Sequence, residues 1–199
     1  MIVDPQSQSP GAMYRFLIGV VVPRPIAFVS TVGENGRFNV APFSFYNAIS
    51  GNPPLLGISI NLRKGEPKDT LRHIRETSDF VVNVVDEALN ERAVQASGDW
   101  PNDVDEFQLT GLTAVPSSRV RSPRVAESPV HLECRLHREI ELGQTVFVVG
   151  EVLLAHVRED VLTDGRVDIL KLKPVGRLGG DAYSPVRDVV HFARPKVER

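Results

Sequence analysis

Pro23-Arg24-Pro25-Ile26-Ala27-Phe28-Val29-Ser30-Thr31, with Asn39-Val40-Ala41-Pro42-Phe43-Ser44-Phe45 close behind, decides how this chain folds. The two prolines force an extended approach, because a residue that precedes proline is pushed out of the helical region. The apolar run that follows reads as a strand over residues 26–32, with a hydroxyl pair near its end. Glu34-Asn35-Gly36 turns the chain back, since Asn-Gly tolerates positive φ, into a returning strand over residues 37–43. That return is rich in aromatic and small polar side chains, which suits a flat, polar-edged, partly apolar ligand held at a sheet edge.

Towards the N-terminus, Ser9-Pro10 can cap and start a helix to about residue 19, with Met13, Phe16, Leu17 and Val20 on one face. Towards the C-terminus, Asn52-Pro53-Pro54 punctuates before a strand over 55–62. A helix over 70–78 follows Pro67 and turns Leu71 and Ile74 inward. Residues 80–85 are rich in β-branched side chains and read as a buried strand, followed by a helix over 87–96. Residues 99–127, with Trp100-Pro101-Asn102-Asp103 and further prolines, form a long excursion holding one short strand at 112–115. Regularity returns in two long strands, 130–142 and 145–158, joined at Gly143-Gln144, and Asp164-Gly165 turns the chain once more. Strands joined by tight turns outnumber helices. The fold expected is therefore mainly β with peripheral helices, an antiparallel barrel rather than a parallel βαβ sheet.

Size and charge narrow the function. At 199 residues, 42% hydrophobic and 24% charged, the chain is expected to form one domain with a sizeable core. Its net charge of −2 comes without a basic stripe, so nucleic-acid binding has no electrostatic support. The lone Cys134 excludes an internal disulfide framework and fits a reducing compartment. No apolar run approaches the roughly 18 residues of a membrane span, and Met1-Ile2-Val3-Asp4-Pro5 lacks the cationic start of a secretory signal. A soluble, cytoplasmic protein without a membrane partner is expected.

Several groups are candidates for chemistry. Lys64 and Lys68 precede a helix whose positive dipole end disfavours them, unless an anion binds the free N–H groups there; the plainer reading leaves both lysines in water with Asp69 satisfying the dipole. Arg24, aimed by two prolines, suits a phosphate oxygen or a structural ion pair. Ser30 and Thr31 can equally bond local backbone, and the aromatics of Ala41-Pro42-Phe43-Ser44-Phe45-Tyr46-Asn47-Ala48-Ile49-Ser50 can equally be core. His131, Glu133, Arg135 and His137 alternate onto one face of a strand and would spread metal ligands over about 20 Å, so a solvent or interface face is expected there. His131 has the further option of lining the nicotinamide side of a pocket. Cys134 on the opposite face reads as a buried inert thiol, and His156 as a satisfied core histidine. The glycine-rich Gly176-Arg177-Leu178-Gly179-Gly180-Asp181-Ala182-Tyr183 lacks the strand-then-helix context of a phosphate cradle. No G-x-G-x-x-G follows a strand, and G-x-S-x-G and H-E-x-x-H are absent.

Taken in order, the 23–45 segment and Lys64-Gly65-Glu66-Pro67-Lys68-Asp69-Thr70-Leu71 resemble the flavin reductase-like family, whose FMN sits on a split β-barrel. The resemblance runs from about residue 14 to 183 and is strongest over 23–85. It implies that Lys68 and Thr70 help to hold the FMN phosphate, and that Ser44, Phe45, Asn47 and Ser50 lie along the flavin. Arg24, Ser30, Thr31, Asn39 and Tyr183 join them as implied cofactor contacts. No catalytic side chain is implied, because the flavin carries the hydride chemistry. The expected activity is FMN-dependent NAD(P)H oxidation, with electrons passed to an acceptor or a partner monooxygenase. The alternatives are an electron carrier of flavoredoxin type and a barrel that has lost its flavin. A homodimer that completes the pocket is also implied. Tyr46 stands where the family commonly has Phe, and His131 where an apolar residue is usual.

Overall fold

Pro10 opens helix α1 (Pro10–Val20), and the Ser9 hydroxyl caps it by accepting from the Ala12 N–H, as the residue chemistry predicts. The computed structural model describes residues 1–101 and 104–195; Asn102 and Asp103 of the expected excursion lie outside the described residues. α1 buries none of its residues, and Phe16, Leu17 and Val20 stand exposed. The expected apolar face is thus present, with Phe16, Leu17 and Val20 left uncovered among the described residues.

Seven strands of the described residues form one antiparallel sheet: β1 (Ala27–Val32), β2 (Phe38–Phe43), β3 (Tyr46–Gly51), β4 (Pro54–Asn61), β5 (Asp79–Val84) and, after two short strands, β8 (Val130–Leu142) and β9 (Thr145–Val157). Their order is β2-β1-β5-β8-β9-β4-β3. The β1–β2 hairpin turns at Gly36, whose φ of 79° needs the freedom of glycine. β1 is buried at every position: Ala27 and Val29 enter one core cluster with Ile58, Leu71, Ile74 and Phe80, while Phe28 enters another with Val40, Leu89 and Phe107. Burial on both faces is why its sequence reads as a continuous apolar run rather than an alternating one.

Of the mainly β, antiparallel barrel expected from the sequence, the structure shows one large antiparallel sheet that stays open. β2 and β3 are the two edges of the sheet and do not pair with each other. Ser44 and Phe45 carry the chain round this corner, with the Ser59 N–H donating to Phe45 O at 2.8 Å. Pro42, lacking an N–H, sits in the edge strand β2, where its loss to the ladder costs least. β3 itself is an addition, since the sequence reading left that stretch without a strand.

Helix α2 (Asp69–Thr77) packs on β1 and β2. Helix α3 (Asn90–Gln95) is shorter than expected. The excursion after it holds α4 (Glu106–Thr110), which Asp105 caps through the Phe107 and Gln108 N–H groups, and the small ladder β6 (Ala114–Val115) with β7 (Arg124–Val125). Two carboxylates pin the loop between these strands. Asp79 accepts from the Arg121 and Ser122 N–H groups and the Ser122 hydroxyl; Glu133 accepts from the Ser118 and Arg119 N–H groups and from His156 Nε2. The C-terminal part adds the hairpin β10 (Leu162–Thr163) with β11 (Arg166–Val167), the single turn α5 (Ile169–Leu172), and β12 (Val175–Arg177) paired with β13 (Tyr183–Pro185). No helix among the described residues is long and apolar enough to cross a membrane.

The polar face expected on β8 is also corrected. Its first half is interior, with His131 and Glu133 buried, because the pinned loop lies over it; only the second half faces water. Register shifts at Glu133/Cys134 and Leu136/Arg138 break the alternation on which the expectation rested. Asn83, fully buried on β5, ties the neighbourhood together. It donates to Phe28 O and Ser30 Oγ and accepts from the Val125 N–H and His131 Nδ1. The Asn83 acceptor places the proton on His131 Nδ1, and burial pulls the ring's pKa down to about 4. Burial also pushes the Cys134 thiol well above its ordinary pKa.

Candidate functional site

The first turn of α2 begins the site. Arg63 and Glu66 close a tight loop in which Lys64 and Gly65 take positive φ, and the chain passes Pro67 into Lys68, the N-cap residue. Lys68 makes no side-chain capping bond, and among the described residues its ammonium forms no ion pair. Its neighbours are committed, Arg63 to Asp99 and Arg72 to Asp69. Thr70, on the second helical residue, is buried, and Asn39 Nδ2 donates to its Oγ1 at 2.9 Å. Because that oxygen accepts from Asn39, the Thr70 hydroxyl proton points elsewhere and is available to an acceptor. Asn39, Phe43, Lys68, Thr70, Ser97 and Trp100 are among the walls of a cavity of about 210 Å³.

A second cavity, of about 170 Å³, shares Pro42, Phe43 and Ser97 with the first and continues to Arg24, Ser44, Arg177 and Tyr183. A third, shallower and apolar, shares Arg24 and Ser44 with the second and extends over Leu17, Phe45, Tyr46, Asn47 and Phe147, with about 480 Å³. Together they follow the edge of β2 from Asn39 to Ser44, about 16 Å at the rise of a strand. One end offers a cation, a hydroxyl and free helix N–H groups; the other offers aromatic walls. Tyr14 lies 6.1 Å from Phe45 between ring centroids, and the Arg177 guanidinium stands 4.4 Å from the Tyr183 ring centre. Burial raises the Tyr46 phenol to about 12, so it stays protonated.

The fold therefore brings Asn39, Lys68 and Thr70 to one end of this groove, and Arg24, Ser44, Phe45, Asn47 and Tyr183 to the other. It does not bring Ser30, Thr31 or Ser50 to any of the three cavities. Ser30 is fully buried, donating to Pro123 O at 2.5 Å and accepting from Asn83, while the buried Thr31 hydroxyl is bonded to His73 Nδ1. Ser50 sits further along β3 and accepts from the Asn52 N–H. Arg24 lines the groove, but its charge is already used. The guanidinium, 6% exposed, donates to Ile18 O, Val21 O and Leu178 O and reaches Ser44 Oγ at 3.4 Å. Neither the phosphate nor the ion pair considered for it is needed to satisfy it, because it closes the C-terminal end of α1, where the helix dipole favours a cation.

Sequence reasoning missed Glu106 and Trp100, both on the wall of the first cavity. Asp105 followed by an apolar-periodic run is a readable cap signal for α4, but nothing local indicates that α4 packs on β2 and shares a cavity with the start of α2.

Residues 19–171 match the family model described as a flavin reductase like domain. An uncharacterized protein of Halalkalibacterium halodurans is 41% identical over 206 aligned positions, covering 100% of this chain and 99% of the relative. Among solved structures, the nitrilotriacetate monooxygenase component B from Bacillus cereus superposes with a TM-score of 0.94 at 33% identity, covering 96% of this chain and 98% of that one. The flavoredoxin of Desulfovibrio vulgaris superposes with a TM-score of 0.79 at 27% identity, covering 97% of each chain.

Proposed function

The chain belongs to the flavin reductase-like family, and on that premise we propose that it is an FMN-binding oxidoreductase, drawing electrons from NADH or NADPH and passing them to an acceptor or a partner monooxygenase. The observation that carries this reading is the β2-edge groove, with an anion-binding end at Lys68–Thr70 and an aromatic end at Phe45 and Tyr183. Lys68 supplies charge to the phosphate, the first turn of α2 supplies N–H donors, and Asn39 turns the Thr70 hydroxyl towards it. Arg24 does the same for Ser44, leaving the Ser44 proton free for an acceptor on the ring edge. Phe43 and Phe45 give the ring its apolar walls. When bound, the flavin supplies the hydride chemistry, accepting from nicotinamide at N5, so the chain needs no catalytic acid or base of its own. Similarity to a protein described as a monooxygenase component supports the partner half of the proposal.

Lys68→Ala should raise the Kd for FMN at least tenfold while leaving that for riboflavin, which has no phosphate, near the wild-type value. Equal affinities in a fluorescence titration would remove Lys68 from the site. The likeness to flavoredoxin favours a second reading, an electron carrier without productive nicotinamide binding. Stopped-flow mixing of the FMN-loaded protein with NADH and NADPH separates the two: bleaching on the seconds scale supports the reductase, and none supports the carrier. A homodimer is part of the proposal. It rests on the uncovered Phe16, Leu17 and Val20 of α1 beside the apolar cavity of Leu17, Val21 and Phe147. Sedimentation equilibrium reporting only monomer at micromolar concentration would argue against it.

A further inference from the structure

Glu106 stands where the proposed phosphate site meets a neighbouring cavity. That cavity, of about 360 Å³, is walled by Arg37, Phe38, Arg72 and His73, and it shares Asn39, Asp69 and Glu106 with the cavity at Lys68 and Thr70. Glu106 is only 9% exposed, and its Oε2 has neither solvent nor a hydrogen-bond partner among the described residues. An unpartnered, buried carboxyl oxygen on α4, in the wall of the cavity that the first turn of the nine-residue α2 also lines with a threonine hydroxyl, is a costly arrangement for an empty wall. It becomes favourable if the ligand completes it.

Resting on the flavin reading above, we propose that Glu106 carries a proton in the flavin complex and donates it as a hydrogen bond to the terminal phosphate at the N-terminus of α2. No bond is broken in this step, because the proton stays on Glu106 and the phosphate oxygen accepts. A carboxylate in the same place would repel the phosphate, so the site binds its ligand best when Glu106 is neutral. Burial, reinforced by the nearby Asp69, raises the carboxyl above its ordinary pKa and favours that form.

Other charged groups line the two cavities around Glu106. α2 contributes Lys68, Asp69, Arg72 and His73; the β1–β2 turn contributes Arg37; α4 itself contributes Asp105; Arg63, Glu66 and Asp99 stand across the first cavity. His73 is held below its ordinary pKa, chiefly by burial, and is neutral above pH 7. FMN's phosphate is a dianion well above its second pKa of about 6. Among these groups Glu106 is the one with a buried, unpartnered carboxyl oxygen, and the proton is assigned to it.

The test compares FMN with riboflavin, which lacks the phosphate, in fluorescence titrations from pH 7 to 9 on the wild type and Glu106→Gln. Wild-type affinity for FMN should fall with rising pH, by up to tenfold per unit once the free carboxyl ionises, while affinity for riboflavin stays level. Glu106→Gln, whose amide donates without titrating, should hold its FMN affinity level. As a measurement independent of the variant, calorimetry at pH 8 in two buffers of different ionisation enthalpy should show proton uptake with FMN and none with riboflavin. The same FMN slope in Glu106→Gln as in the wild type, or no proton uptake by the wild type, overturns the proposal while leaving the flavin reading intact. A chain that retains neither flavin at any pH overturns the flavin reading and this proposal with it.

Discussion

Replacing Arg24 by methionine should cost the protein about 3 kcal/mol of stability, an outcome that follows from its bonding rather than from any ligand. The guanidinium donates to Ile18 O at 2.8 Å, Val21 O at 2.6 Å and Leu178 O at 2.8 Å. Two of these carbonyls close α1, and the third belongs to the glycine-rich segment after β12. Hydrogen bonds to a charged group contribute roughly 1.5–3 kcal/mol each, so three would sum to about 4.5–9 kcal/mol. Taking the guanidinium out of water returns several kcal/mol of that, leaving a difference near 3 kcal/mol. For a domain of this size, at about 2–4 °C per kcal/mol, the fall in Tm is roughly 6–12 °C. Urea melts followed by circular dichroism would measure it. Arg24→Lys sharpens the test, because one ammonium cannot address three carbonyls arranged around a planar fork and should recover less than half of the loss. A methionine variant that melts like the wild type would refute the reasoning, and if it had also lost affinity for FMN it would return Arg24 to the phosphate.

Three further outcomes follow from the same geometry. His131 is held at about 4 against an ordinary 6.5, so between those values the unfolded chain binds more protons than the folded one. Its contribution, up to about 3 kcal/mol, is complete above pH 6.5 and is lost as the pH falls through 4; urea melts at pH 7 and 4.5 should show a smaller difference in His131→Gln, and an equal difference would exclude His131 as the source. Asp79→Ala strands the Arg121 and Ser122 N–H groups that it now satisfies, at roughly 1–3 kcal/mol each. Limited trypsin digestion should then cut after Arg119 or Arg121 much faster than in the wild type, and unchanged cleavage would show the loop is held otherwise. At Gly150 an added Cβ would lie 2.4 Å from Cζ of the fully buried Phe80, so Gly150→Ala should destabilise by about 1–3 kcal/mol through overpacking, as a thermal melt would report.

Much of the architecture is legible in local signals. Ser9-Pro10 starts α1, Asn35-Gly36 turns the first hairpin, and Gly143-Gln144 joins β8 to β9 where the apolar pattern says it should. The failures share a cause. β3 carries polar and small residues because it is an edge beside a groove, so its sequence has none of the apolar alternation that marks a half-buried strand. The polar face of β8 reads as solvent-exposed because bulges and a covering loop, both products of long-range pairing, do not register in a period of two. Of the candidate contacts, those on the β2 edge and the first turn of α2 come together, since strand direction and helix start are local properties. Ser30 and Thr31 do not, because every position of β1 is buried and their hydroxyls must be satisfied inside.

The sequence by itself determined α1, α2 and the strands β1, β2, β4, β5, β8 and β9, where the chain turns between them, and that a cation and a threonine stand together at a helix start. These are matters of backbone sterics and of neighbours a few residues apart. Only the tertiary structure decided that Arg24 spends its charge on the end of α1, that the sheet stays open between β2 and β3, and that Glu106 shares a cavity wall with Asn39 and Thr70. Each depends on groups distant in sequence, whose meeting is set by strand register, packing and the need to satisfy buried polar atoms.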